Sequence, residues 1–274
     1  MNFSESLMLS RLMMLTLVAH CSILPLSAQQ SGTQKQKGVS DTGKYSPAPA
    51  PSSTGREDIS PEQAQKKMKD SMKVERINEQ QYRIGKVILD KKARTVSFPV
   101  KVNMRLGVVE YALVTENGKS HESIFTTTAS PSHVHLACVL LGMKQASYKD
   151  WPKDHTEITS DRGVEIIVTW PTNGPDKVLT LASCISLVDP NLQHEGGSEV
   201  AAGTWFYNGS SFRNGTFAAN NEGSMISIIA DGEALLNGLR VGRENDELHA
   251  ANKSVLPAAG KTLKMVLTIP KVKS

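Results

Sequence analysis

The sequence predicts an α+β domain, mainly an antiparallel sheet with one buried helix, preceded by a signal segment and a disordered linker. Three observations predict it. From Tyr82 onward, apolar residues recur with period two, the mark of strands buried on one face. Between Ser130 and Gly142 lies a run that is apolar on nearly every side, the mark of a buried helix. No linker-like stretch divides residues 75–274, so strands and helix belong to one domain.

The chain has 274 residues, a 39% hydrophobic fraction and a formal net charge of +4. That apolar fraction is low for a wholly packed chain, so part of the chain is expected to stay outside the core. Glu5 and Arg11 cancel within residues 1–28, leaving the remainder equally mildly basic. Acidic and basic residues are interspersed, as in Lys66-Lys67-Met68-Lys69-Asp70, which describes a solvated surface and no nucleic-acid partner.

The N-terminus has the grammar of a secretory signal. Arg11 precedes the apolar run Leu12 to Ala19, which continues loosely to Leu26, and Ser27-Ala28 supplies small residues for cleavage. Residues 1–28 are therefore read as a signal peptide, and the chain as exported, periplasmic or extracellular, and associated with the envelope. The apolar run falls short of the roughly 20 residues a span requires. The membrane would be reached only through an uncleaved signal or a lipidated Cys21, and His20 is not the small residue that lipidation favours before the cysteine. Residues 29–58 are rich in Gln, Ser, Gly and Pro and cannot bury enough apolar surface to offset their ordering entropy. The stretch Pro47 to Pro51 is a semi-rigid spacer. Ser60-Pro61 then starts a short polar helix within 59–74, with a capping serine followed by proline at the first helical position.

The folded domain is assigned to 75–274. Val96, Phe98, Val100, Val102 and Met104 alternate with polar residues. Pro99 lacks a donor and places this strand at an edge or a bulge. Val109, Tyr111 and Leu113 form the next strand. Asn117-Gly118 predicts an antiparallel hairpin returning through Glu122–Thr128. Ser130-Pro131 opens the apolar helix, and Gly142 closes it where a left-handed residue is wanted. Val164–Trp170, Thr204–Tyr207, Ser224–Ile229 and Thr262–Ile269 are further strands, with turns at Asn173-Gly174, Asn208-Gly209 and Asn214-Gly215. Asp231 to Leu236 reads as a short capped helix.

Three blocks, in this order, resemble the YdjY-domain family of bacterial envelope proteins. The first runs from Gly85-Lys86-Val87 through Val96-Ser97-Phe98-Pro99 to Val109-Glu110-Tyr111-Ala112-Leu113-Val114. The second is Lys119-Ser120-His121-Glu122-Ser123 with the helix ending Leu140-Leu141-Gly142. The third is Gly203-Thr204-Trp205-Phe206-Tyr207-Asn208-Gly209-Ser210, with Glu222-Gly223-Ser224 and Gly242-Arg243. The resemblance covers most of 82–270 and implies an extracytoplasmic domain with no reaction attached. Some members are described as ferredoxin-like carriers of an iron–sulfur cluster. This sequence departs from them, because a cluster needs about four thiolates and only Cys138 and Cys184 follow the signal. No iron–sulfur cofactor is expected.

Four residues could contribute to a divalent-metal site: His121, Glu122, His133 and His135. Imidazole and carboxylate suit zinc and related ions. Helical geometry turns His133 and His135 roughly 200° apart, and strand geometry turns His121 from Glu122, so at most one of each pair would meet. Trp205, Phe206, Tyr207 and Phe212 could line a binding surface, or one face of that strand could be core. Cys138 and Cys184 could pair, which would add about 4 kcal/mol in the chain-entropy model, or remain free thiols. Serines near His121 and His133 lack a nucleophile elbow. The leading expectation is an exported binding or interaction domain without catalytic machinery, whose partner is a protein or another envelope component. The alternative is a metal-dependent enzyme or metal carrier.

Overall fold

The computed structural model describes residues 72–188, 196–213 and 216–271, all within the compact unit Glu57–Ser274. The signal peptide, the linker, Cys21, the turn at Asn214-Gly215 and all but the last three residues of the 59–74 helix lie outside the described residues. Those three are a turn and the start of a strand.

The α+β expectation is overturned: the domain is mostly β and is built on a closed eight-stranded barrel. Its N-terminal strands are β1 (Val74–Arg76), β2 (Gln81–Ile84), β3 (Val87–Asp90) and β4 (Thr95–Val102), joined as an antiparallel meander. β5 (Tyr111–Thr115) and β6 (Ser123–Thr127) lead to the helix α1 (Pro131–Leu140). Next come β7 (Gly163–Trp170), β8 (Lys177–Thr180), β9 (Ile185–Val188), β10 (Gly196–Glu199) and β11 (Trp205–Tyr207). β12 (Phe212–Arg213), β13 (Thr216–Phe217), the single-turn helix α2 (Ala218–Glu222), β14 (Ser224–Ser227) and β15 (Leu236–Asn237) follow. β16 (His249–Ala251) and β17 (Thr262–Thr268) complete the fold. Around the barrel the order is β4-β17-β7-β11-β15-β14-β5-β6, and β6 returns to β4 to close the ring. A three-stranded sheet β10-β9-β16 lies beside it.

Period two explains one half of this barrel. On β4, Val96, Phe98, Val100 and Val102 are buried while Pro99 and Lys101 are exposed, and β17 and β7 alternate likewise. The inward residues are apolar, the reverse of the pattern that a lipid-facing barrel with a watery interior needs. The other half reads differently. β5, β6, β11, β14 and β15 are buried at nearly every position, because loops and helices cover their outer faces too. Among the described residues no helix is long and apolar enough to cross a membrane.

Closure also explains Pro99. β4 pairs with β17 along its whole length, but its other side is shared: β3 pairs through Ser97, and β6 begins at Lys101. Pro99 falls in the gap between the two partners, where no ladder donor is needed. Its carbonyl accepts from Thr127 Oγ1 at 2.6 Å.

The buried helix is corrected as well. α1 packs one face, Val134, Ala137 and Cys138, against β3 and β4. Val139 and Leu140 are 44% and 51% exposed. Its C-terminus behaves as expected, with Gly142 at φ +92° and its N–H bonded to the Val139 carbonyl at 2.9 Å.

The Asn117-Gly118 hairpin is not formed. β5 and β6 are parallel, with Tyr111 opposite Ser123 and Thr115 opposite Thr127. A two-residue primed turn needs positive φ at both central residues, and neither Asn117 nor Gly118 has it. Gly118 serves close approach instead. Its missing Cβ would lie 3.1 Å from the Glu222 carbonyl oxygen and 3.2 Å from that of Gly223.

Candidate functional site

β5 and β14 lie side by side and antiparallel, and each is followed by a short crossover into a parallel neighbour: 116–122 into β6, and 228–235 into β15. Parallel neighbours ordinarily need long crossovers, so these two are drawn tightly over the barrel wall. They converge on Glu110. Its N–H donates to the Glu122 carbonyl at 3.0 Å, and its own carbonyl accepts from Ile228 N at 2.8 Å. Register shifts between β14 and β5 sit beside this junction, and such irregularities re-aim side chains.

The second crossover is not the predicted capped helix. Asp231 does cap a turn, its Oδ1 accepting from Glu233 N at 2.8 Å, but the chain then enters β15, held between β11 and β14. A buried amide pair fixes it from beneath. Asn237 Nδ2 donates to Asn208 Oδ1 at 2.8 Å and to the Asp231 carbonyl at 2.9 Å, while Asn237 Oδ1 accepts from Asp231 N at 2.8 Å. Asn208 Nδ2 donates to the Ala234 carbonyl at 2.8 Å.

Side chains from both crossovers meet over β5. Lys119 Nζ donates to Tyr111 Oη at 2.8 Å, and Tyr111 Oη donates to Asp231 Oδ2 at 3.1 Å. Burial pushes the Tyr111 phenol up to about 12, against the pull of the Lys119 hydrogen bond. The bond to Tyr111 raises Lys119, outweighing its own partial burial. Glu110 is raised above the usual carboxylate range, first by burial and then by the charge of Glu122. Tyr111 therefore keeps its proton at neutral pH and acts as a bridge, not as a phenolate base.

These groups form the floor of an open cleft of about 1030 Å³. Its opposite wall is aromatic. Tyr148 and Trp151 pack with ring centroids 4.9 Å apart, and Trp151 meets the buried Phe206 edge-on at 5.5 Å. Tyr148 and Phe212 are 67% and 63% exposed, and both line the cleft. The Tyr148 ring lies 4.0 Å from the position a Cβ would take on Gly232, between the two carboxylate residues Asp231 and Glu233.

The residues singled out from sequence are dispersed. His121 is exposed in the first crossover, with Nε2 3.6 Å from Glu122 Oε2. Glu122 faces Glu110 and so borders the cleft floor. His133 packs against Gly85, whose missing Cβ would meet its ring. His135 shares a 2.8 Å hydrogen bond with Tyr207 Oη through Nδ1 and is lowered by burial. Among the described residues, no three His, Cys, Asp or Glu side chains are placed to hold a metal ion. Of the four aromatic candidates, Trp205, Phe206 and Tyr207 are core residues, and Phe212 alone reaches the cleft. Cys138 and Cys184 are both buried and form no disulfide with each other. Sequence reasoning missed Glu110, Tyr111, Lys119 and Glu233, and took Asp231 for a helix cap. The one available signal was the pair of polar runs, 116–122 and 231–233, set between buried strands.

The YdjY domain model matches residues 87–268. The chain belongs to the YdjY domain family. The match runs from β3 to the end of β17 and so contains the whole barrel and both crossovers. No curated protein matches the chain, and no solved structure does. The YdjY family carries no assigned function, and the cleft is the feature of this YdjY domain on which a function can be built.

Proposed function

We propose that this YdjY domain is an exported, envelope-associated binding module, and that its ligand occupies the cleft over Tyr111 and Asp231. The carrying observation is the cleft itself, a cavity of ligand-binding size with two exposed aromatic rings facing a hydrogen-bonded Lys119–Tyr111–Asp231 chain. The buried Asn208–Asn237 pair supports the same reading, because a satisfied polar network beneath a loop holds that loop in one geometry before ligand arrives. Binding is favoured over catalysis because Tyr111 holds its proton, Lys119 is engaged as an ammonium donor, and both Asp231 oxygens accept bonds. The leader at 1–28 supplies export, and the Pro-rich stretch would hold the domain away from a surface.

The test has two parts. N-terminal sequencing of the exported chain should begin near Gln29; a chain retained in the cytoplasm with Met1 intact refutes export. Immobilised protein should then retain an envelope component that Asp231→Asn loses and Lys264→Ala keeps, since Lys264 lies on β17, opposite β14 in the ring. Equal retention by all three proteins, or retention by none, overturns the binding reading.

A further inference from the structure

We infer that the ligand is an uncharged oligosaccharide, with one pyranose ring laid on Tyr148 and its hydroxyls bonded along Asp231, Tyr111 and Lys119. This rests on the binding reading above and specifies its chemistry. Tyr148 is a supported platform. It packs on Trp151, and Trp151 packs on the buried Phe206, so the ring is held from behind while 67% of the residue stays exposed. Its edge approaches Gly232, one residue from Asp231. The face of an aromatic ring is electron-rich, and a pyranose matches it, with C–H bonds gathered on one face and hydroxyls around the rim. A sugar stacked on Tyr148 can turn rim hydroxyls toward Asp231 without leaving the ring.

The floor suits hydroxyls in particular. Lys119 Nζ donates to Tyr111 Oη at 2.8 Å, and that oxygen donates to Asp231 Oδ2 at 3.1 Å. Asp231 Oδ1 accepts from Glu233 N. An ammonium has three donors and a carboxylate about four acceptor sites, so donor and acceptor capacity remain at the two ends of one short chain. Gln145 adds an acceptor, because its Nε2 is committed to the Gly209 and Ser210 carbonyls at 3.2 and 2.7 Å and its oxygen is left for the cleft. A hydroxyl gives and accepts at once and pairs with either end. A head group that only donates or only accepts leaves the other end desolvated and unpaired. An extended peptide finds no foothold here, since β5 and β14 are each paired on both sides and offer no open strand edge. Phe212 lines the same cleft on its own aromatic support, Phe217, at 5.0 Å. A second exposed ring, in a cleft at the top of the roughly 300–1,000 Å³ range of small-ligand sites, fits several linked sugars. Two sources carry this chemistry, an insoluble glycan strand of the envelope and a free oligosaccharide.

Isothermal titration calorimetry on the full exported chain tests it. The probes are chitotriose, cellotriose, maltotriose and mannotriose, with open-chain sorbitol and a capped Gly-Lys-Gly peptide beside them. At least one trisaccharide should bind, and at least about tenfold tighter than sorbitol, which has the hydroxyls without the ring face. Added salt should leave that affinity within about twofold, because no net charge is paired. Tyr148→Ala should weaken it at least about tenfold, and Tyr148→Phe should restore it. Gln145→Leu should weaken it about fivefold, as loss of one hydrogen bond does, while Lys264→Ala should leave it unchanged. Tyr148 and Gln145 are both exposed, and circular dichroism checks that their variants fold. Co-sedimentation with purified peptidoglycan, competed by the same trisaccharide, identifies an envelope glycan, and soluble binding without co-sedimentation identifies a free oligosaccharide. Failure of all four trisaccharides, tighter binding of the peptide, or sugar binding indifferent to Tyr148→Ala overturns the sugar. Envelope retention that Asp231→Asn abolishes then shows that the binding module stands without it, and loss of that retention as well removes both.

Discussion

Asn237→Ala should cost this domain roughly 4 kcal/mol, more than any other single side-chain truncation among the polar residues of the cleft. Asn237 is fully buried and makes three hydrogen bonds of 2.8, 2.9 and 2.8 Å. Two reach the Asp231 backbone, which lies near the surface, so water can replace them and each loss costs about 1 kcal/mol. The third satisfies Asn208 Oδ1, also buried, and stranding that oxygen costs about 2 kcal/mol. Urea unfolding followed by tryptophan fluorescence measures the sum, with an unchanged denaturant slope showing that stability alone has moved. The Asn208→Ala, Asn237→Ala double variant should lose at least about 1 kcal/mol less than the two single losses added together, because one shared bond is removed in both. A single-variant loss under about 1 kcal/mol, or strict additivity, would refute the view that this pair holds the second crossover in place. The same variant should weaken ligand binding in the cleft, since Asp231 hangs from that network.

Three further outcomes follow from the geometry. Gly223→Ala should destabilise by about 2 kcal/mol or more in the same unfolding assay, because φ is +71° and the new Cβ would lie 2.7 Å from Gly118 Cα. His249 is fully buried, and burial and the Arg240 charge lower it against the pull of the Val241 carbonyl. The unfolded chain then binds more protons below about pH 6.5, so stability should fall as pH drops through that value, and His249→Gln should flatten the slope. An unchanged slope places the titration elsewhere, first at His135, which burial also lowers. Cys138 is fully buried and its thiol is pushed up to about 12 by burial, so iodoacetamide should label it only after denaturation. Rapid labelling of the native protein at Cys138 would contradict its place under α1.

Most strands were legible in the sequence because their signal is local. β4, β7 and β17 alternate visibly, since water lies on one side of them, and their predicted bounds match within a residue or two. The closed ring was not legible. Closure depends on β6 meeting β4 through Lys101–Thr126 and Val102–Phe125, a pairing that period two is silent about. The same silence produced the false hairpin. Asn117-Gly118 offers good primed-turn chemistry, but the apolar strands on both sides of it are buried on both faces, and burial decided for a parallel pair. Asp231 was read correctly as a capping residue and wrongly as the start of a helix, because the cap bond forms identically in an isolated turn. The polar cleft residues were the least legible. Lys119, Glu110 and Asp231 look like ordinary solvated charges until two crossovers bring them to one tyrosine.

The position of the cleft follows from the asymmetry of the barrel. The half containing β4, β17 and β7 meets solvent directly with Lys101, Lys264 and Glu165. The half containing β14 and β5 is overlaid by two short crossovers. Ile228, Ala234 and Leu235 bury the two ends of the second crossover, and specific polar bonds hold the remainder of both: Asn237 to Asp231, Glu110 to Glu122 and Ile228, Lys119 to Tyr111. Backbone amides and charged side chains tied in this way keep their orientation when exposed to water, whereas the aromatic rings of Tyr148 and Phe212 stay largely exposed beside them. A rigid charged floor beside an uncovered aromatic wall is a costly surface to leave open in a stable domain, and a ligand that satisfies both at once accounts for its retention better than folding does.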